Sequence, residues 1–134
     1  KGIYIGESLV EAARGEGARK SIGVDFGASF RKFHPVFPRF FIPNKISVSK
    51  HQEFSSAFSL DWARYWRRKY EDLDCIKLIE EMCTDENFSV YYENAKEFYK
   101  FSESNADWAA EVNSKPYANM KDYFKNVEQW LKDK

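Results

Sequence analysis

Two cysteines are all the chain has, Cys75 and Cys83. They fall in one helical pattern, and eight residues at about 1.5 Å rise would hold them roughly 12 Å apart. A disulfide would have to break that helix, so reduced thiols are expected. No run of about 18 apolar residues and no signal-peptide core occurs, which leaves a chain outside the membrane, with the cytoplasm as the expected compartment. The formal net charge is zero, which argues against bulk attraction to nucleic acid or anionic lipid. There is no P-loop, no G-x-G-x-x-G after a strand and no nucleophile elbow. No Cys/His set has zinc spacing, and His34 has no histidine, cysteine or carboxylate at ligand distance along the chain. Glu80-Glu81 and the Asp72/Asp74 pair sit in polar surroundings where solvation is their ordinary role. Nothing in these residues assembles a self-sufficient catalytic site.

What is abundant is aromatic. Twelve Phe, eight Tyr and four Trp make 18% of the chain, and 43% is hydrophobic, so a packed core is within reach and disorder is not expected. The rings announce core and interface without separating them. At 134 residues the chain is one domain or a piece of a larger one, and a start at Lys1 rather than Met suits a fragment or a processed chain. The zero charge hides a polarity. Residues 1–67 carry eleven Lys/Arg against six Asp/Glu, and residues 68–134 carry ten against fifteen. The first part could face a phosphorylated ligand; a plain polarity between two sub-regions gives the same numbers.

All six glycines lie between Gly2 and Gly27. Within Lys1 to Phe26, Ile3-Tyr4-Ile5 reads as a strand that stops at Gly6. Ser8 and Glu11 then have capping-box spacing, each side chain reaching one unpaired backbone N–H at a helix start. Leu9, Val10, Ala12 and Ala13 give that helix a small-faced side able to lie close on a sheet, and Ser21 to Phe26 supplies a second strand.

The segment Gly6-Glu7-Ser8-Leu9-Val10-Glu11-Ala12-Ala13-Arg14 resembles the G-x-x-V-N-x-A-x-R segment of class III nucleotidyl cyclases. It is more similar to the divergent bacterial cyclase-like proteins, including the pyrimidine cyclases of antiphage defence. The resemblance implies strand, helix and strand in this order, and puts Arg14 where the family's arginine steadies the triphosphate in the transition state. A guanidinium fork suits charge building on phosphate oxygens. Val10 replaces the purine cyclases' catalytic asparagine, Ile3 their base-selecting acid, and Gly15 the usual leucine. A purine substrate is therefore disfavoured; a pyrimidine nucleotide and a degenerate, inactive domain both stay open. The family's two metal-binding aspartates precede this segment, so a divalent metal (Mg or Mn) would be held by residues outside the chain. Because the family's sites form between two cyclase domains, the resemblance also implies a homodimer.

After a connector pinned by Phe30, Phe33 and Phe37, Arg39 to Ile42 is a short β-rich run closed by Pro43-Asn44. A second extended run, Phe54 to Trp62, is expected to pair with it antiparallel across the Lys45–Gln52 region. In the cyclase reading this is the terminal hairpin that carries a triphosphate-contacting lysine, for which Lys45 and Lys50 are the candidates. Trp62 to Tyr70, WARYWRRKY, interleaves rings with cations as single-stranded nucleic acid binding sites do. Glu71, Asp72 and Asp74 follow and would oppose phosphate, and rings that anchor a segment while cationic heads stay in water need no ligand. Nucleic acid is therefore not the expected partner. From Asp74 on, stripes at helical spacing recur: Cys75, Leu78, Ile79, Met82; then Phe88, Tyr91, Tyr92, Ala95, Phe98, Tyr99; then a shorter helix anchored by Trp108; then Met120, Tyr123, Phe124, Val127, Trp130, Leu131. A stretch resembling Tyr91 to Phe98 also follows the catalytic domain in cyclase-like proteins with C-terminal extensions.

The expected fold is α+β, a partial ferredoxin-like cyclase sheet (strand-helix-strand plus β-hairpin) over residues 1–66, followed by a helical extension over 67–134. The expected function is part of a nucleotidyl cyclase-like protein acting on a nucleoside triphosphate and inactive as this fragment alone. The rival expectation is a non-catalytic protein–protein interaction domain.

Overall fold

The computed structural model describes residues 22–26, 38–44 and 58–134. The proposed opening helix with Arg14, and the hairpin lysines Lys45 and Lys50, lie outside the described residues.

Among the described residues the architecture is mixed α+β. Strands β1 (Asp25–Phe26), β2 (Phe41–Pro43) and β3 (Phe58–Leu60) form an antiparallel sheet with β3 in the middle. Phe26 faces Phe58 on one side of β3, and Pro43 faces Phe58 on the other. A single 3-10 turn, Pro38–Phe40, leads into β2. The expected antiparallel pairing of the two β-rich runs is thus present. The outgoing strand ends earlier than the Phe54–Trp62 run suggests. It ends at Leu60, because Asp61 turns its carboxylate onto the backbone N–H of Arg64 at 3.1 Å and starts a helix at Trp62.

Five helices follow: α1 (Trp62–Lys69), α2 (Cys75–Met82), α3 (Ser89–Ser104), α4 (Trp108–Asn113) and α5 (Met120–Asp133). Their starts have local causes. Asp74 caps α2 by accepting from Lys77 N, and Asn119 caps α5 by accepting from Asp122 N. Asp85 accepts from Asn87 N at the 3-10 turn Glu86–Phe88 that leads into α3. Both cysteines are free thiols; burial, and then the Asp74 carboxylate, push that of Cys75 up.

One core joins sheet and helices. Ile42 and Phe58 from the sheet pack with Trp108 and Val112 of α4 and with Tyr123, Phe124, Val127, Trp130 and Leu131 of α5. Trp108 is its hub: only 1% exposed, it lies 5.8 Å from Phe58 and 6.4 Å from Trp130, ring centre to ring centre. Its indole N–H donates to the Phe41 carbonyl at 2.9 Å, so the ring that fills the core also ties α4 to β2. Burial, and then the neighbouring Tyr117, push the Tyr123 phenol up to about 12. At the rim, the Trp130 indole donates to Glu111 at 2.7 Å. The Lys134 ammonium, 2.8 Å away, and then that indole hold the Glu111 carboxyl below the ordinary glutamate range.

Polar side chains beside Ile42 are also linked across the sheet. Asn44 donates to the Ser59 hydroxyl at 2.7 Å, and that hydroxyl donates to Asp25, so one side-chain chain crosses all three strands. Ser59 is buried, whereas Leu60, the next residue, is exposed.

Candidate basic and aromatic cleft

The junction between β3 and α1 builds the most distinctive surface among the described residues. Asp61 N donates to the Phe40 carbonyl and Leu60 N to the Val24 carbonyl, both at 2.8 Å. These bonds hold the start of β2 beside the first turn of α1. Between them opens a cleft of about 770 Å³.

Four cations line it: Arg39 from the turn before β2, and Arg64, Arg68 and Lys69 from α1. Arg64 and Arg68 are four residues apart and so share one helix face about 6 Å from each other along the axis. None of the four makes an ion pair among the described residues. Two of them contact rings instead. The Arg39 guanidinium lies 4.9 Å from the Phe40 ring centre, and the Lys69 ammonium lies 5.5 Å from both Tyr65 and Tyr70. A hydrogen bond to Tyr65 is the first cause of a Lys69 ammonium held above its ordinary value. Tyr65 is 61% exposed and Phe40 47%, unusual for rings with a core nearby.

The single carboxylate among the described lining residues, Asp61, is turned away from solvent. It is buried, caps Arg64 N, and accepts from the Ser102 hydroxyl of α3 at 2.5 Å. Ser102, fully buried, accepts in turn from Arg67 Nη2 at 2.9 Å. The Arg67 guanidinium stands 5.3 Å from the Tyr99 ring centre, and its Nη1 is buried with no hydrogen-bond partner among the described residues. Arg67 therefore braces α1 against α3, while Arg64 and Arg68 are left to the cleft. Trp62 stacks on Phe98 at 5.6 Å, and Trp66 sits on Tyr70 and donates to the Leu73 carbonyl at 3.2 Å. The WARYWRRKY segment thus divides residue by residue: its tryptophans and Arg67 anchor, and Arg64, Tyr65, Arg68 and Lys69 face outward. Glu71, Asp72 and Asp74 do not line the cleft.

The sequence singled out the α1 half of this site. It gave no sign that Arg39 and Phe40 would join it, since more than twenty residues separate them from Arg64. No group of three His, Cys, Asp or Glu among the described residues could hold a metal ion, so these residues do not furnish a divalent-ion site. No described helix is long and apolar enough to cross a membrane. Comparison with protein-family models, with curated proteins and with solved structures finds no match.

Proposed function

We propose that the chain is the second half of a nucleotidyl cyclase-like domain with a helical extension, and that its substrate is a nucleoside triphosphate, a pyrimidine nucleotide being compatible with Val10 and Ile3. In this reading Arg14 meets the triphosphate in the transition state and Lys45 or Lys50 meets it from the hairpin. A divalent metal is held by residues encoded before Lys1, and a second copy completes the site. The protein works in the cytoplasm.

The observation that carries the reading is the sheet. A strand within the expected Ser21–Phe26 segment, β1, pairs antiparallel with β3, and β3 pairs antiparallel with β2. A strand of the expected unit beside the expected hairpin supports the reading, and the helices pack on that sheet through the Trp108 core.

The test uses the whole protein, with its own upstream residues. Turnover of each of the four ribonucleoside triphosphates is followed with manganese, and Arg14→Ala is expected to lower it by about a hundredfold or more, as loss of a charge-stabilising donor does. Undiminished turnover in that variant removes Arg14 from its role. Upstream residues without a pair of strand aspartates remove the reading itself and favour a non-catalytic interaction domain.

A further inference from the structure

The cleft at the β3–α1 junction is not used by the cyclase reading, whose named residues all lie elsewhere in the chain. It nevertheless has the parts of a binding site. Among the described residues, four cations without ion-pair partners stand on one surface, and the one carboxylate beside them is buried and engaged by Ser102 and by Arg64 N. Unpaired cations crowded together repel one another, an arrangement that an anion relieves. Phosphate alone does not explain the rings. Tyr65 and Phe40 present large apolar faces to water beside those cations, where folding alone would favour turning them inward.

An anion that also has flat faces fits both features. The cations are spread along a helix face and across to the neighbouring strand, so they suit several phosphates in a row better than one compact group. The zero net charge of the whole chain does not bear on this surface, because over a cleft it is the local charge that focuses the field. We propose that the cleft binds single-stranded nucleic acid, with Arg39, Arg64, Arg68 and Lys69 meeting successive phosphates and Tyr65 stacking on a base. Rings for stacking combined with cations tracking the backbone give affinity without sequence preference. The open face admits a strand from which bases can splay outward, whereas a duplex keeps its bases stacked away from Tyr65.

The experiment is fluorescence anisotropy of the whole protein with a labelled mixed-sequence 15-nucleotide DNA and the matching RNA, over a range of salt concentrations. Single strands are expected to bind more tightly than the duplex of the same sequence. Arg39→Ala with Arg68→Ala, two exposed positions, should weaken binding at least about tenfold and lower the salt slope by roughly 1.4, two phosphate contacts' worth. Tyr65→Ala should weaken it about fivefold or more while leaving the salt slope unchanged. Circular dichroism of each variant confirms that the fold is kept. Heparin, a polyanion without bases, competing as well as the oligonucleotide in both the parent and Tyr65→Ala proteins overturns the proposal in favour of a general anion site. Displacement of the oligonucleotide by a nucleoside triphosphate at equal concentration overturns it too, and gives the cleft to the cyclase substrate instead. Upstream residues without a pair of strand aspartates, together with intact oligonucleotide binding, sink the cyclase reading and leave this one standing.

Discussion

Helices α1 and α5 are built from the same kinds of residue and are used in opposite ways. Each carries tryptophan, tyrosine and several cations. From α5, Tyr123, Phe124, Val127, Trp130 and Leu131 are buried; from α1, only Ala63 is. The cause is placement. In α5 the rings recur at three- and four-residue spacing and Lys121, Lys125 and Lys132 occupy the other side, so one complete face can turn inward. In α1 Arg64, Arg67 and Arg68 lie on the side away from Trp62 and Trp66, but Lys69 falls between the rings of Trp62 and Tyr65. No orientation of that helix buries all the rings without burying charge, which is far costlier than leaving a ring exposed.

The most severe way to break this comparison is to remove a tryptophan from each helix. Trp130→Ala, a buried ring packed on Trp108 and Phe101, should lower unfolding free energy in urea by about 3–5 kcal/mol. Trp66→Ala, half-buried in the middle of α1, should cost clearly less. Equal losses would mean that α1 is as much a core helix as α5.

How much of this could be read beforehand follows the same division. The α5 stripe and Trp108 were legible because a 3.6-residue period with polar residues on the other face admits one burial pattern. The antiparallel pairing was legible because two β-rich runs flank a polar connection. The end of β3 was not: Phe54 to Trp62 keeps rings at regular intervals, and only the backbone bond that Asp61 takes from Arg64 shows where strand gives way to helix. Nor was the buried Ser102, which looks like an ordinary helix-surface serine until Asp61 and Arg67 arrive from α1 and its N-cap. The cleft was half legible, since Arg39 and Phe40 reach it through a backbone bond between strands. Arg14, Lys45 and Lys50, on which the resemblance rests its chemistry, lie outside the described residues.

A smaller effect sharpens the α5 side. The Tyr123 phenol is pushed up to about 12 from an ordinary 10 by burial and then by Tyr117. A raised folded value means that the folded state keeps its proton where the unfolded state has released it. The stabilisation is thus complete below pH 10 and is lost as pH rises from 10 through 12. The expected loss over that window is on the order of 2 kcal/mol, measured by urea unfolding at fixed pH. Tyr123→Phe should flatten that part of the profile; an unchanged profile would place the ionising group elsewhere.

The smallest expected effect belongs to α1 and decides what its outer face is for. Tyr65 is 61% exposed, and the Lys69 ammonium 5.5 Å from its ring is a contact between two groups that both reach water. Tyr65→Ala should therefore change unfolding free energy by no more than about 0.5 kcal/mol, as exposed substitutions away from caps and cores do. A ring that serves as a stacking platform has to be free of such folding duty, because a face already covered by the chain cannot also meet a base. A loss as large as that of a core ring would show Tyr65 packed against the protein's own residues, and the cleft would then be a closed structural seam. Near-neutral stability combined with weakened oligonucleotide binding is the pair of results that separates the two helices by use as well as by burial.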